Sequence, residues 1–149
     1  PDAGQGFVFR TGNIKGIADT YGDQYYIKRL VGTPGDELEI VSGKTTAAAP
    51  AVVKSGGTGV LLRNGRPIEG SEAFRGNNEQ SGKYGGYQPF GLLALGEKAK
   101  VPPGQFFALG DNSGNSADGR YWGYVPGKDV VGRPLFIYFP FTSHWGPAR

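Results

Sequence analysis

The feature that most constrains the fold is a run of aromatic and branched residues, Tyr25-Tyr26-Ile27-Lys28-Arg29-Leu30-Val31, stopped by Thr33-Pro34-Gly35-Asp36. Such side chains suit a pleated strand, and proline followed by glycine fills the two central positions of a type II turn. The chain is expected to reverse there and return as a second strand, Glu37-Leu38-Glu39-Ile40-Val41. Another reversal is encoded at Asn64-Gly65, between Val60-Leu61-Leu62-Arg63 and Arg66-Pro67-Ile68, in the residue signature of a type I′ hairpin. Further strands are expected at Gly6-Phe7-Val8-Phe9-Arg10, over 105–110 and within 130–139, where Leu135-Phe136-Ile137-Tyr138-Phe139 has the apolar density of a core strand.

Composition supports this pattern. The 27 glycines and 11 prolines make up about a quarter of the 149 residues, which disfavours long helices. Any helix is expected to be short, for example around Leu95 to Lys100. The predicted class is all-β: a mostly antiparallel domain of two packed sheets, with an irregular insertion. The length suits one core, so residues 1–149 are expected to form a single domain. Its core comes from 1–41 and 101–149, with 42–100 as a hairpin-containing insertion. Within that insertion, Ser42 to Gly59 is small and polar, as in an exposed, mobile loop. Residues 69–90 are rich in Gly, Asn, Gln and Tyr.

The net charge is +3 and the 16 basic residues are scattered, so nucleic acid is not an expected partner. Without cysteine there is no disulfide framework, thiolate metal site or cysteine nucleophile. No stretch approaches the roughly 18 apolar residues of a membrane span, and no basic-then-apolar leader opens the chain. The chain starts at Pro1 and has no methionine, so a longer N-terminal region is expected to be missing.

Two motifs carry chemistry. In the first, residues 25–40, alternation places Tyr26, Lys28 and Leu30 on one face and Ile27, Arg29 and Val31 on the other. A lysine among apolar neighbours can lose enough hydration for its pKa to fall several units from about 10.4, giving an amine that accepts protons near pH 7. Such an amine is a general base. The other reading is a lysine that snorkels from an edge strand to water, and the pattern alone leaves both open. The second motif, GDNSGNSADGRYWGYVP over 110–126, packs Asp111, Asn112, Asn115, Ser116, Asp118 and Arg120 into one polar loop after a core strand. Loops so dense in polar groups are often sites, yet the same residues also make good turns, which an Asp118–Arg120 pair would brace.

Together the motifs resemble the bacterial type I signal peptidases, or leader peptidases. Residues 26–36 match the family's Y-I-K-R-x-x-G-x-P-G-D box, and 110–126 its G-D-N-x-x-x-S-x-D-x-R-Y-x-G-x-V-P box. LLRNGRPIE is similar to the family's intervening hairpin, VVGRPLFIYFPF to its closing strand and GFVFR to the strand before the lysine box. About two thirds of the chain is covered, with 42–59 and 69–100 left as lineage-specific insertion.

The resemblance implies a signal-peptidase-like β-domain of a serine-lysine endopeptidase that removes signal peptides from exported preproteins. Lys28 corresponds to the general base, Ser116 to the hydroxyl that orients it, Asp118 and Arg120 to a supporting ion pair, and Asp111 to the same scaffold. Tyr26 and Ile27 are candidate walls of the substrate groove. No metal or organic cofactor is implied. The implied partners are signal peptides and, through a preceding helix not in this sequence, the bacterial cytoplasmic membrane, with the catalytic domain on its outer face. Ser113 and Gly119 depart from the common arginine and serine of the second box. The nucleophile belongs to an S-M-x-P-T box upstream of the first strand, which has no match here, so this fragment alone is expected to be inactive.

Other readings fare worse or need more sequence. Ser42-Gly43-Lys44-Thr45 ends like a phosphate-binding loop, but Leu38 stands where its first glycine belongs. Residues 111–122 have the outline of a calcium loop, with Ser116 at its glycine position and Trp122 at its bidentate glutamate. A serine-histidine triad would depend on His144, the one histidine, beside Trp145. A related serine-lysine processing protease, or a silent module that grips extended peptides as an added strand, are the remaining alternatives.

Overall fold

The computed structural model describes residues 3–46, 58–111 and 118–132. The elements in chain order are β1 (Gly6–Arg10), α1 (Lys15–Tyr21), β2 (Tyr25–Gly32), β3 (Glu37–Ser42), β4 (Gly59–Arg63), β5 (Arg66–Pro67), α2 (Glu72–Glu79), β6 (Lys98–Lys100), β7 (Gln105–Leu109), α3 (Gly119–Trp122), β8 (Val125–Pro126) and β9 (Val130–Gly132). The strands form two sheets, ordered β8-β7-β2-β1-β9 and β5-β4-β3-β6, and every strand pairing within them is antiparallel. The all-β, two-sheet class is thus the observed one.

Both encoded reversals form. Between β2 and β3, the Asp36 N–H donates to the Thr33 carbonyl at 3.0 Å and Gly35 takes φ 89°, the positive angle a type II turn requires of its third residue. Between β4 and β5, Asn64 and Gly65 take φ of 55° and 83°, as in a type I′ turn. The Asp36 carboxylate joins the two tips. It accepts from the Thr33 N–H and hydroxyl, both at 2.9 Å, from Arg63 Nε at 2.8 Å and from Asn64 Nδ2 at 3.0 Å. Its burial alone would raise its pKa, but these hydrogen bonds outweigh that and hold the carboxyl below its usual range.

Alternation along the strands divides the core in two. Val31, Leu38, Ile40, Leu61, Phe107 and Leu109 pack where the two sheets face each other. Phe7, Phe9, Leu30 and Ala108 lie on the opposite face of the five-stranded sheet, covered by Ile14, Ile17 and Trp122 from the α1 and α3 regions. β2 therefore has a packed layer on each side. Segment 42–100 also supplies core, through Leu61, Ile68, Phe74, Tyr87, Leu93 and Ala99.

Two local expectations need correction. The segment Leu95 to Lys100 is not helical: Lys98–Lys100 is strand β6, paired to β3 through Leu38↔Ala99, with Ala99 buried and both lysines exposed. Three residues are too few to display that alternation in the sequence. The stretch 69–90, expected to be irregular, contains α2. Its N-cap, Ser71, accepts from the Phe74 N–H at 3.0 Å, satisfying a free amide of the first turn. Gly76, Asn77 and Asn78 are poor helix formers, but burial and hydrogen bonding override that preference. Asn78 Oδ1 accepts from the Leu61 N–H, and its carbonyl accepts from the Thr45 N–H. Much of the Ser42 to Gly59 loop, the segment Leu135 to Phe139 and His144 lie outside the described residues.

Candidate active site

The site is built on the middle strand of the five-stranded sheet. Lys28 is 6% exposed. It stands opposite Phe7 in the β1–β2 ladder, on the face that carries Phe9 and Leu30. Its Nζ lies 5.8 Å from the centroid of the Tyr26 ring, within range of a cation–π contact when charged. The Tyr26 ring meets Phe9 edge-on, and Phe9 contacts Trp122. An aromatic wall thus runs from the lysine to α3. Burial pushes the Tyr26 hydroxyl above its usual pKa, with Tyr21 adding a smaller effect. The indole N–H of Trp122 is buried and meets no acceptor among the described residues.

Arg29 and Ile27 occupy the opposite face. Ile27 is buried across from Val8, so the two candidate groove walls lie on different faces, with Tyr26 on that of Lys28. Arg29 donates to both Asp111 oxygens, Nε to Oδ1 at 2.6 Å and Nη2 to Oδ2 at 2.7 Å, and its Nη1 donates to the Gly4 carbonyl at 2.7 Å. This fork keeps the guanidinium charged, raising its pKa further.

Asp118 and Arg120 are fully buried, with 0% side-chain exposure each. Arg120 donates to Asp118 from Nε at 2.9 Å and from Nη2 at 2.6 Å, and from Nη1 to the Gln88 carbonyl at 2.7 Å. Its guanidinium carbon stands 4.6 Å from the Phe90 ring centroid. Asp118 also accepts the Arg120 N–H at 3.1 Å and the Gly110 N–H at 3.2 Å. The pair therefore pins α3, the end of β7 and segment 88–90 together. Ser116 lies outside the described residues.

The structure brings Lys28 and Tyr26 onto one face, and ties Asp111 to the β2 arginine next to the lysine. It also adds residues that sequence reasoning did not select. The Arg29 contact was concealed because alternation shows only that the side chain leaves the lysine face, not what it meets. Asn77, whose Nδ2 donates to the Asp111 carbonyl at 2.9 Å, had no sequence signal, since asparagine in a Gly-Asn-Asn run reads as a turn.

The fold is a two-sheet antiparallel β-domain with a lysine buried in the middle strand of one sheet, and comparisons with known proteins bear on that fold and on its family. A solved signal peptidase I from Enterococcus faecalis V583 shares the fold, with a TM-score of 0.56 over 89% of this chain and 95% of that one, at 22% identity. Residues 1–139 match the family described as signal peptidase, peptidase S26, and the chain belongs to that family. Among relatives, a probable signal peptidase I-1 of Synechocystis is 28% identical over 98% of this chain and 58% of its own length. A signal peptidase I of Bacillus licheniformis is 29% identical over 91% and 62%. The chain thus spans about three fifths of the length of these two relatives. Among the described residues, no helix is long and apolar enough to cross a membrane.

Proposed function

We propose that this chain is the catalytic β-domain of an endopeptidase that removes signal peptides from exported preproteins, with Lys28 as general base. The observation that carries this reading is the near-complete burial of Lys28 against Phe7, Tyr26 and Leu30 in a chain of the signal peptidase family. An amine so placed gives up hydration that would favour its charged form. Neutral Lys28 takes the proton of a serine hydroxyl as that oxygen attacks the scissile carbonyl. The proton then passes to the departing amine, leaving an acyl-enzyme. Lys28 next deprotonates a water, which attacks the ester; the acyl–oxygen bond breaks and the proton passes from Lys28 to the departing serine oxygen, releasing the carboxylic acid product and restoring serine and neutral lysine. The serine comes from the upstream S-M-x-P-T segment of the complete gene product. Ser116 orients the amine, and Asp111, Asp118 and Arg120 hold the loop. The substrate lies extended, held by main-chain hydrogen bonds, with Tyr26, on the face of Lys28, shaping the shallow subsites for small side chains, whereas Ile27 backs the strand from its other face. In the complete protein a preceding helix anchors the domain on the outer face of the cytoplasmic membrane.

The test is to assay the complete gene product in detergent on a preprotein with an A-x-A site and to identify the new N-terminus. Cleavage after the second alanine, lost in Lys28→Ala, is the expected result. A folded protein that binds the preprotein without cutting it would replace this reading with a peptide-gripping module.

A further inference from the structure

We infer that Asn77, on α2, is a positioning residue for the Lys28 machinery, acting through the main chain of Asp111; this inference rests on the reading of Lys28 as the base. β2 and β7 form an antiparallel ladder. Its pairing covers Arg29↔Leu109, Leu30↔Ala108 and Gly32↔Phe107, with a register shift between Leu30 and Gly32. β7 ends at Leu109, so this ladder reaches Arg29 and stops one residue short of Lys28. Side-chain contacts must therefore fix how the chain leaves the sheet at Gly110 and Asp111, beside the lysine.

Three contacts do so, each at a different group. Asp118 Oδ2 accepts the N–H of Gly110 at 3.2 Å. Arg29 grips the Asp111 carboxylate through two nitrogens. Asn77 Nδ2 donates to the Asp111 carbonyl at 2.9 Å. The first two come from the motif residues and the lysine strand itself. The third crosses from α2.

Asn77 is built for this task. It is 1% exposed, and Nδ2 also donates to the Ala73 carbonyl one turn back at 3.0 Å. Its Oδ1 accepts the Gly86 N–H at 3.3 Å. With both ends of the amide engaged, the donor to Asp111 has a fixed direction. The Tyr84 ring approaches so closely that a β-carbon at Gly76 would fall 2.2 Å from it, which holds α2 against the 81–87 segment. The insertion helix thus carries a rigid donor to the point where the loop departs.

The test uses the complete gene product with Asn77→Ser, Arg29→Lys and the double variant. Serine in a helix can still bond the carbonyl four residues back, so it retains the Ala73 contact, but its hydroxyl is too short to reach Asp111. We expect kcat per folded molecule to fall about 10- to 100-fold with KM within about twofold, the scale of rate loss that a small misplacement of a reacting group produces. In the double variant the losses should overlap, because both substitutions release the same aspartate, whereas independent effects multiply. Asn77→Asp keeps the volume and replaces both donors with a carboxylate; it serves as a second variant, read the same way. A folded Asn77 variant with the wild-type kcat, or losses that multiply with those of Arg29→Lys, would overturn the inference. Wild-type protein that cleaves nothing, or cleaves equally well without Lys28, would instead overturn the functional reading beneath it.

Discussion

At the scale of single residues, the largest energetic stake lies in Asp118 and Arg120, whose charges are wholly removed from water. Their attraction roughly offsets the desolvation cost of the pair, but removing one partner leaves the other uncompensated. Asp118→Ala is therefore expected to cost about 3–5 kcal/mol of stability, measurable by urea unfolding. Arg120→Lys also loses the two-pronged geometry and the stacking on Phe90, so it should not restore the wild-type value. The Asp118–Arg120 pairing was legible because two residues apart, on a tight loop, few geometries compete. The burial of Lys28 was legible only as one of two readings: alternation fixes which residues share its face, whereas burial depends on residues brought from elsewhere in the chain, such as Phe7 opposite it on β1. Asn77 was illegible for the same reason, since its partners Asp111 and Gly86 are brought to it by the fold.

Among the elements, those whose signal is local were the ones the sequence revealed. The two turns depend on residues that permit positive φ, so Pro34-Gly35 and Asn64-Gly65 announced themselves. α2 and β6 depend on what they pack against, and their own sequences favour turn and helix respectively. The second turn offers a clean test. A β-carbon at Gly65 would meet nothing within 4 Å, so Gly65→Ala is opposed by the backbone angle alone. A loss of about 1 kcal/mol is expected, with the hairpin retained. Asp36 couples the two turns, and its lowered pKa fixes the pH dependence. The stabilisation from its charged form is fully present above the unfolded carboxyl's pKa of about 3.9 and is lost as pH falls through the folded value. Asp36→Asn should accordingly be less stable than wild type at pH 7, by about 1–3 kcal/mol. The gap should narrow as the pH is taken below about 4; a gap that widened in acid would contradict the assigned cause.

For the whole molecule, one sheet holds the proposed base and the other packs against it. The layer between them draws on strands from both ends of the sequence and on segment 42–100. A shared layer predicts one cooperative thermal transition, seen alike by far-ultraviolet and near-ultraviolet dichroism, and two separable transitions would contradict a single domain. The family and fold were recognisable because two long motifs stand in order on strand and loop; the insertion was not, because it is read through packing alone. The central claim is that a buried amine on β2 supplies the base. Lys28→Met tests it most directly, since methionine keeps an unbranched apolar stem of similar length, with sulfur in place of one methylene, and lacks the amine. In the complete gene product, the account predicts loss of preprotein cleavage with a melting temperature close to that of wild type. Cleavage at the wild-type rate by the folded methionine variant would contradict it.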